Sequence, residues 1–137
     1  MKAPRQELRL HLPATLAAAS AIVAEFKQRH LQSHQPAHAF CIELLVREAV
    51  TNAVIHGCCA GSSEGTVLCV ARRRQGRLLI WVEDSGPGFD WRTRKRRGSD
   101  PGTPGGRGLE IYEKFATRHR FNAKGNGVAL LYRFEGE

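Results

Sequence analysis

Apolar and polar residues alternate where the chain begins: Leu8, Leu10 and Leu12 fall on one side, Arg9 and His11 on the other, the period of two of a half-buried strand. The period then lengthens. From residue 14 to about 30, Leu16, Ala19, Val23 and Phe26 recur at helical spacing, with Lys27 and Arg29 off the stripe, which predicts a one-sided helix that Pro13 starts. A polar break at residues 32–35 separates it from a second helix, opened by Pro36 and stopped by Gly57. At about 100° per residue, Leu45, Val46, Ala49, Val50 and Ala53 form that helix's apolar stripe, and Glu43, Arg47 and Thr51 point the opposite way. Glu48, Asn52 and His56 belong to neither set. Their i, i+4, i+8 spacing lines them along the margin of the apolar face, where a side chain meets a cleft.

A Gly/Ser-rich loop at residues 58–65 leads into a strand at 66–72 and a turn at Gly76. The next run, Arg-Leu-Leu-Ile-Trp-Val-Glu at 77–83, is nearly all apolar and predicts a central strand with both faces covered or nearly so, with Asp84 at its end. Residues 85–106 show no periodicity, only Gly, Pro, Asp and cations; a loop of ~20 residues in a small domain is uncommon and usually functional or mobile. Leu109, Tyr112, Phe115 and Ala116 mark a short helix from near Arg107. Strands at 118–123 and 128–134 close the chain and flank Lys124-Gly125-Asn126-Gly127, in which Asn126-Gly127 is a hairpin turn signal. The simplest packing of this order is a two-layer α/β sandwich: a mixed, mostly antiparallel sheet with the helices on one face.

A chain of 137 residues with 42% hydrophobic content supports one core, so residues 1–137 are expected to form a single domain. The net charge of +8 suits nucleic acid, an anionic membrane, a polyphosphate ligand or an acidic protein, and does not choose among them. Its local clusters are Arg72-Arg73-Arg74 and the run Arg92, Arg94, Lys95, Arg96, Arg97. Only Trp91 accompanies them, so the interleaved aromatics of a single-strand-binding surface are lacking, and direct nucleic-acid binding is the weaker expectation. Cys41, Cys58, Cys59 and Cys69 have no C-x-x-C spacing and read as ordinary thiols. With no signal region and no long apolar run, a cytoplasmic protein with no membrane attachment is expected.

Three stretches carry chemistry beside the helix margin, and each has a plainer reading. Asp84-x-Gly86-x-Gly88 puts a carboxylate at the end of the apolar strand, between residues that let backbone approach a ligand closely; it is otherwise a tight turn. Such a carboxylate accepts from an exocyclic amine and so favours adenine over guanine. Gly105-Gly106-Arg107-Gly108-Leu109 opens the third helix, where free N–H groups and the dipole suit a phosphate; otherwise it is a flexible helix start. The cationic run between the two is either a solvated face or a lid over polyphosphate. On the margin itself, a neutral Asn52 oxygen suits Mg2+ and a Glu48 carboxylate suits proton abstraction, against the alternative of surface polar residues and a helix-end His56.

In this order and at these separations, Glu48-x-x-x-Asn52, Asp84-x-Gly86-x-Gly88 and Gly106-x-Gly108-Leu109 resemble the N, G1 and G2 boxes of an ATPase superfamily. Its members include gyrase, heat-shock chaperones, histidine kinases and mismatch-repair ATPases, and the resemblance implies the Bergerat-type ATP-binding fold. Within it, the phrase Glu-Ala-Val-Thr-Asn-Ala-Val-Ile-His-Gly at 48–57, the leading strand and two helices, and the length most resemble the anti-sigma-factor serine/threonine kinases of bacterial partner switching. The likeness covers essentially the whole chain.

That resemblance implies ATP and Mg2+, with Glu48 as general base toward a serine or threonine hydroxyl and Asn52 as the metal ligand. By the same likeness Asp84 reads the adenine amine, Gly86 and Gly88 shape the pocket, and Gly106, Arg107, Gly108 and Leu109, with a lid over residues 91–105, hold the triphosphate. The implied substrate is a small STAS-like anti-anti-sigma protein. The other implied partner is a sigma factor, held by a homodimer. Val128 departs from the pattern, standing where the family usually has a threonine whose hydroxyl lies near the adenine. An ATP-dependent binding module that switches partners without catalysis is the alternative, and the presence of Glu48 favours the enzyme.

Overall fold

Alternation sets the first strand pairing. In a computed structural model that describes residues 6–31, 35–57, 65–88 and 106–135, Leu8, Leu10 and Leu12 of β1 (Gln6–Pro13) lie opposite Ala71, Cys69 and Val67 of β2 (Thr66–Arg74). The apolar members of both strands therefore share one face. β3 (Arg77–Asp84) extends that face with Ile80 and Val82, and β5 (Gly127–Arg133) adds Val128 and Leu130. With β4 (Arg118–Phe121) at the edge, the order is β1-β2-β3-β5-β4.

The fold is the expected α/β sandwich, but the sheet is purely antiparallel, not mixed. Two helices between β1 and β2 carry the chain out and back to the end of β1 that it left, where the Ala14 N–H donates to the Gly65 carbonyl at 2.8 Å. β3 and β4 run the same way through a crossover helix, but β5 lies between them.

Helix α1 (Leu16–Phe26) is capped by Thr15, whose hydroxyl accepts the Ala18 N–H at 3.0 Å. It runs into a wide π-type turn, Lys27–Leu31. Helix α2 (Pro36–Asn52) has its proline at the first turn and ends in a second wide turn, Ala53–Gly57. Helix α3 is Gly106–Phe115. Ile22, Phe26, Ile42, Leu45, Val46 and Val50 pack with Leu8, Cys69, Ile80 and Leu130, all at most 1% exposed. Burial of this kind pushes the Cys69 thiol up to about 12, which keeps it a neutral thiol. Leu16, expected on the buried stripe of α1, is 64% exposed, and the buried residues of the helix are Ala18, Ala19, Ile22, Val23 and Phe26.

Two other expectations change. β3 is central, yet Leu79 is 45% exposed and Trp81 half-buried, because the three helices among the described residues lie on the side of Ile80 and Val82. The expected β4–β5 hairpin forms, but its connection spans residues 122–126 rather than 124–127. Gly125 takes the left-handed conformation (φ 81), and Gly127 opens β5. A Cβ on Gly127 would stand 2.5 Å from the Trp81 ring, so strand packing, not turn geometry, excludes a side chain there. Among the described residues, no helix is long and apolar enough to cross a membrane.

One side chain closes the β4–β5 turn. Asn122 Oδ1 accepts from the N–H groups of Gly125, Asn126 and Gly127 at 2.8, 3.0 and 3.2 Å. Asn122→Ala strands these donors and is expected to destabilise the protein by about 2 kcal/mol in urea unfolding. Asn122→Asp, which keeps an acceptor oxygen, is expected to lose less.

Candidate functional site

The outward face of α2 is ordinary solvent chemistry. Glu43 pairs with Lys27 at 3.0 Å and with Arg47 at 2.9 Å, and their hydrogen bonds hold its carboxyl below the usual range. The margin is different. Glu48 and Asn52 are half-buried one turn apart, and Asn52 Nδ2 donates to Glu48 Oε1 at 3.3 Å. The contact uses an amide N–H and leaves the amide oxygen out of it.

Helix α3 packs on α2 at this margin and brings Tyr112, only 3% exposed, to the pair. Its hydroxyl lies near enough to the Asn52 side chain and to the Glu48 charge for both to act on it. Burial drives the phenol pKa up, the nearby Glu48 charge adds to this, and the Asn52 hydrogen bond opposes it, so the hydroxyl stays protonated. Sequence patterning placed Tyr112 among the apolar positions of its helix and missed this contact. The available signal was the residue type, since a buried tyrosine hydroxyl needs a partner.

At the end of β3, Asp84 is the only buried charged residue among those described, at 7% exposure. Its Oδ1 accepts the Gly86 N–H at 2.7 Å. Burial raises its pKa above the ordinary aspartate range and the Glu83 charge raises it further, while the Gly86 N–H and Lys124 pull it down. The backbone of Asp84 is held from two sides. Its N–H donates to the Asn126 carbonyl at 2.9 Å, and its carbonyl accepts Asn126 Nδ2 at 2.7 Å.

Ser85 ties the same loop to β2: the Ser85 N–H donates to the Thr66 carbonyl at 3.0 Å, and Ser85 Oγ accepts the Thr66 N–H at 2.9 Å. Gly88 has φ 83, and a Cβ there would collide with the Lys124 carbonyl. Its lack of a side chain thus lets the loop meet the β4–β5 turn. The sequence attributed that requirement to a ligand.

The third predicted stretch opens α3 at Gly106, and buried Leu109 anchors its first turn. The first N–H groups of a helix have no partner within it, which leaves this turn able to receive an anion. The side chains of Arg107 and His56, and the lid expected at 91–105, lie outside the described residues.

Helix α2 joins the parts. Its margin meets α3 through Tyr112, and the wide turn that continues it packs on β3, the strand that ends in Asp84. The arrangement offers a carboxylate beside a neutral amide, a second carboxylate on an enclosed floor, and a helix start rich in glycine. Among the described residues, no group of three or more His, Cys, Asp or Glu side chains could hold a metal by itself.

The family model described as histidine kinase-like ATPase domain matches residues 11–132, from within β1 to near the end of β5. No curated protein matches the chain.

Because the folded-state pKa of Asp84 is raised, its cost to stability is absent below the ordinary value of 3.8 and grows as pH rises through the folded value. Asp84→Asn keeps an acceptor for Gly86 and removes the charge. In the ligand-free protein this variant is expected to melt above the wild type at pH 7, with the difference shrinking toward pH 4. An aspartate that stabilises the fold would give the opposite sign.

Proposed function

As this chain belongs to the histidine kinase-like ATPase domain family, we propose that it is an ATP-dependent protein serine/threonine kinase that doubles as an anti-sigma factor. In this reading a STAS-like anti-anti-sigma protein supplies the acceptor hydroxyl, a sigma factor is the sequestered partner, and the working form is a cytoplasmic homodimer. The observation that carries the catalytic part is the Glu48–Asn52 pair, held half-buried on one margin of α2.

The residues fit a magnesium nucleotide. Asn52 would hold Mg2+ through its neutral side-chain oxygen, alongside phosphate oxygens of the nucleotide. The ion would supply neutralisation of the phosphate charge. Asp84 accepts a hydrogen bond from the adenine amine with its carboxylate, whose orientation the Gly86 N–H fixes. The opening turn of α3, at Gly106 to Leu109 with Arg107, receives phosphate oxygens.

Glu48 takes the proton from the acceptor hydroxyl as its oxygen bonds to the γ-phosphorus, and the bond to ADP breaks in line. Such transfer rests on positioning and charge neutralisation more than on covalent help from the protein. Val128 is buried in the core cluster, so the hydroxyl contact that the resemblance leads one to expect at that position is absent. An average hydrogen bond is worth about 1 kcal/mol, a loss that weakens nucleotide binding without abolishing it.

With Mg-ATP and the cognate anti-anti-sigma protein, Glu48→Gln is expected to slow phosphate transfer by about 100-fold or more while ATP affinity changes little. Equal rates in wild type and variant would remove Glu48 from the base role. No transfer in either, with partner binding still dependent on nucleotide, would favour the non-catalytic module. Tyr112→Phe keeps the ring and deletes the hydroxyl; a roughly fivefold slower transfer is expected, the equivalent of about 1 kcal/mol.

A further inference from the structure

The face of the sheet away from the helices carries a pattern that the nucleotide site does not use. Strand register lays it out in rows. One row is Glu7, Arg72, Leu79, Leu131 and Arg118; the next is Arg9, Val70, Trp81, Ala129 and Arg120; a third begins His11, Leu68 and Glu83. A fourth row, of Arg74, Arg77 and Arg133, crosses one end. The centre is therefore a contiguous apolar field, half-buried except for Leu79, which is 45% exposed.

All seven arginines in these rows are exposed, against the two glutamates Glu7 and Glu83, an excess of five positive charges. Among the described residues, the only ion pair on this face is Arg72 with Glu7, at 3.2 Å.

A sheet face meant for water carries polar residues at the outward positions of its central strand. β3 presents Leu79 and Trp81 there instead. An apolar centre with Trp, bordered by Arg, is the composition of a protein-binding surface. Aliphatic side chains make up most of the centre, and Trp81 is its one aromatic, too few stacking platforms for a nucleic acid strand. A second copy of the same face would set two arginine borders against each other. At a spacing of about 4.8 Å per strand, the arginines of β1 and β4 stand roughly 19 Å apart. A helix about 10 Å across fits between them.

We propose that this outer face docks an amphipathic helix of a partner protein, its apolar stripe on Leu79, Trp81 and Leu131 and its flanking Asp and Glu residues paired with the arginine border. The proposal stands on the charge and register of the sheet and is independent of the kinase reading.

The test uses the Trp91→Phe chain, in which Trp81 is the remaining tryptophan. A synthetic helical peptide with leucines at i, i+3, i+4 and i+7 and glutamates on both flanks is titrated while Trp81 emission is followed. The expected result is a saturable blue shift. Affinity is expected to fall at least tenfold in Arg118→Glu/Arg120→Glu, at an unchanged melting temperature, and to be lost for a peptide of the same composition in scrambled order. Absence of binding, or binding indifferent to the charge reversals, would overturn the proposal. So would a stronger response to duplex DNA or to phosphatidylglycerol vesicles than to the peptide. A chain that sediments as a dimer and becomes monomeric on Leu79→Asp would assign the face to a second copy instead.

Discussion

Burying the Asp84 carboxylate is the constraint on which the site end of this fold depends. A charge taken out of water is unfavourable unless it is paired or hydrogen-bonded, and here the Gly86 N–H donates to one of its oxygens. The geometry of that bond is fixed from a distance. Asn122 shapes the β4–β5 turn, Asn126 in that turn holds both the N–H and the carbonyl of Asp84, and Gly88 lets the loop lie on the Lys124 carbonyl. The last hairpin is thus the mould for a loop at the end of β3. An aspartate whose burial costs stability is the kind of group for which the proposed adenine amine would be a favourable donor.

Helix α2 resolves a related conflict. Its apolar stripe has to fill the core, and Ile42, Leu45, Val46, Ala49 and Val50 do so against the sheet. Its margin has to stay polar without dissolving into solvent. Packing of α3 on α2 brings the buried Tyr112 close to this margin, where Asn52 and Glu48 are half-buried and bonded to each other. The same helix therefore stabilises the domain and carries its candidate chemistry. Substitutions on the two sets are separable for that reason.

What could be read from the sequence follows the range of the interactions. Period-two leucines in β1 and the 3.6-residue stripe of α2 are local signals, and both elements stand where the pattern put them. Asp84 was legible from its place at the end of an apolar run. The clasp on its backbone was not, because its partner, Asn126, lies 42 residues further along the chain. The outer face of β3 was misread for a different reason: an apolar run signals a central strand but does not say whether a second layer covers it. Likewise Gly127 looked like a turn residue, and only the position of the Trp81 ring explains it.

The central claim is that the carboxylate on the floor at Asp84 selects an adenine nucleotide. Calorimetric titration of the wild-type chain with Mg-ATP and with Mg-GTP tests it most directly. The account predicts saturable ATP binding at least about tenfold tighter than GTP, since guanine sets an acceptor against the carboxylate where adenine sets a donor. Equal affinities for the two nucleotides, or no binding of either, would contradict it.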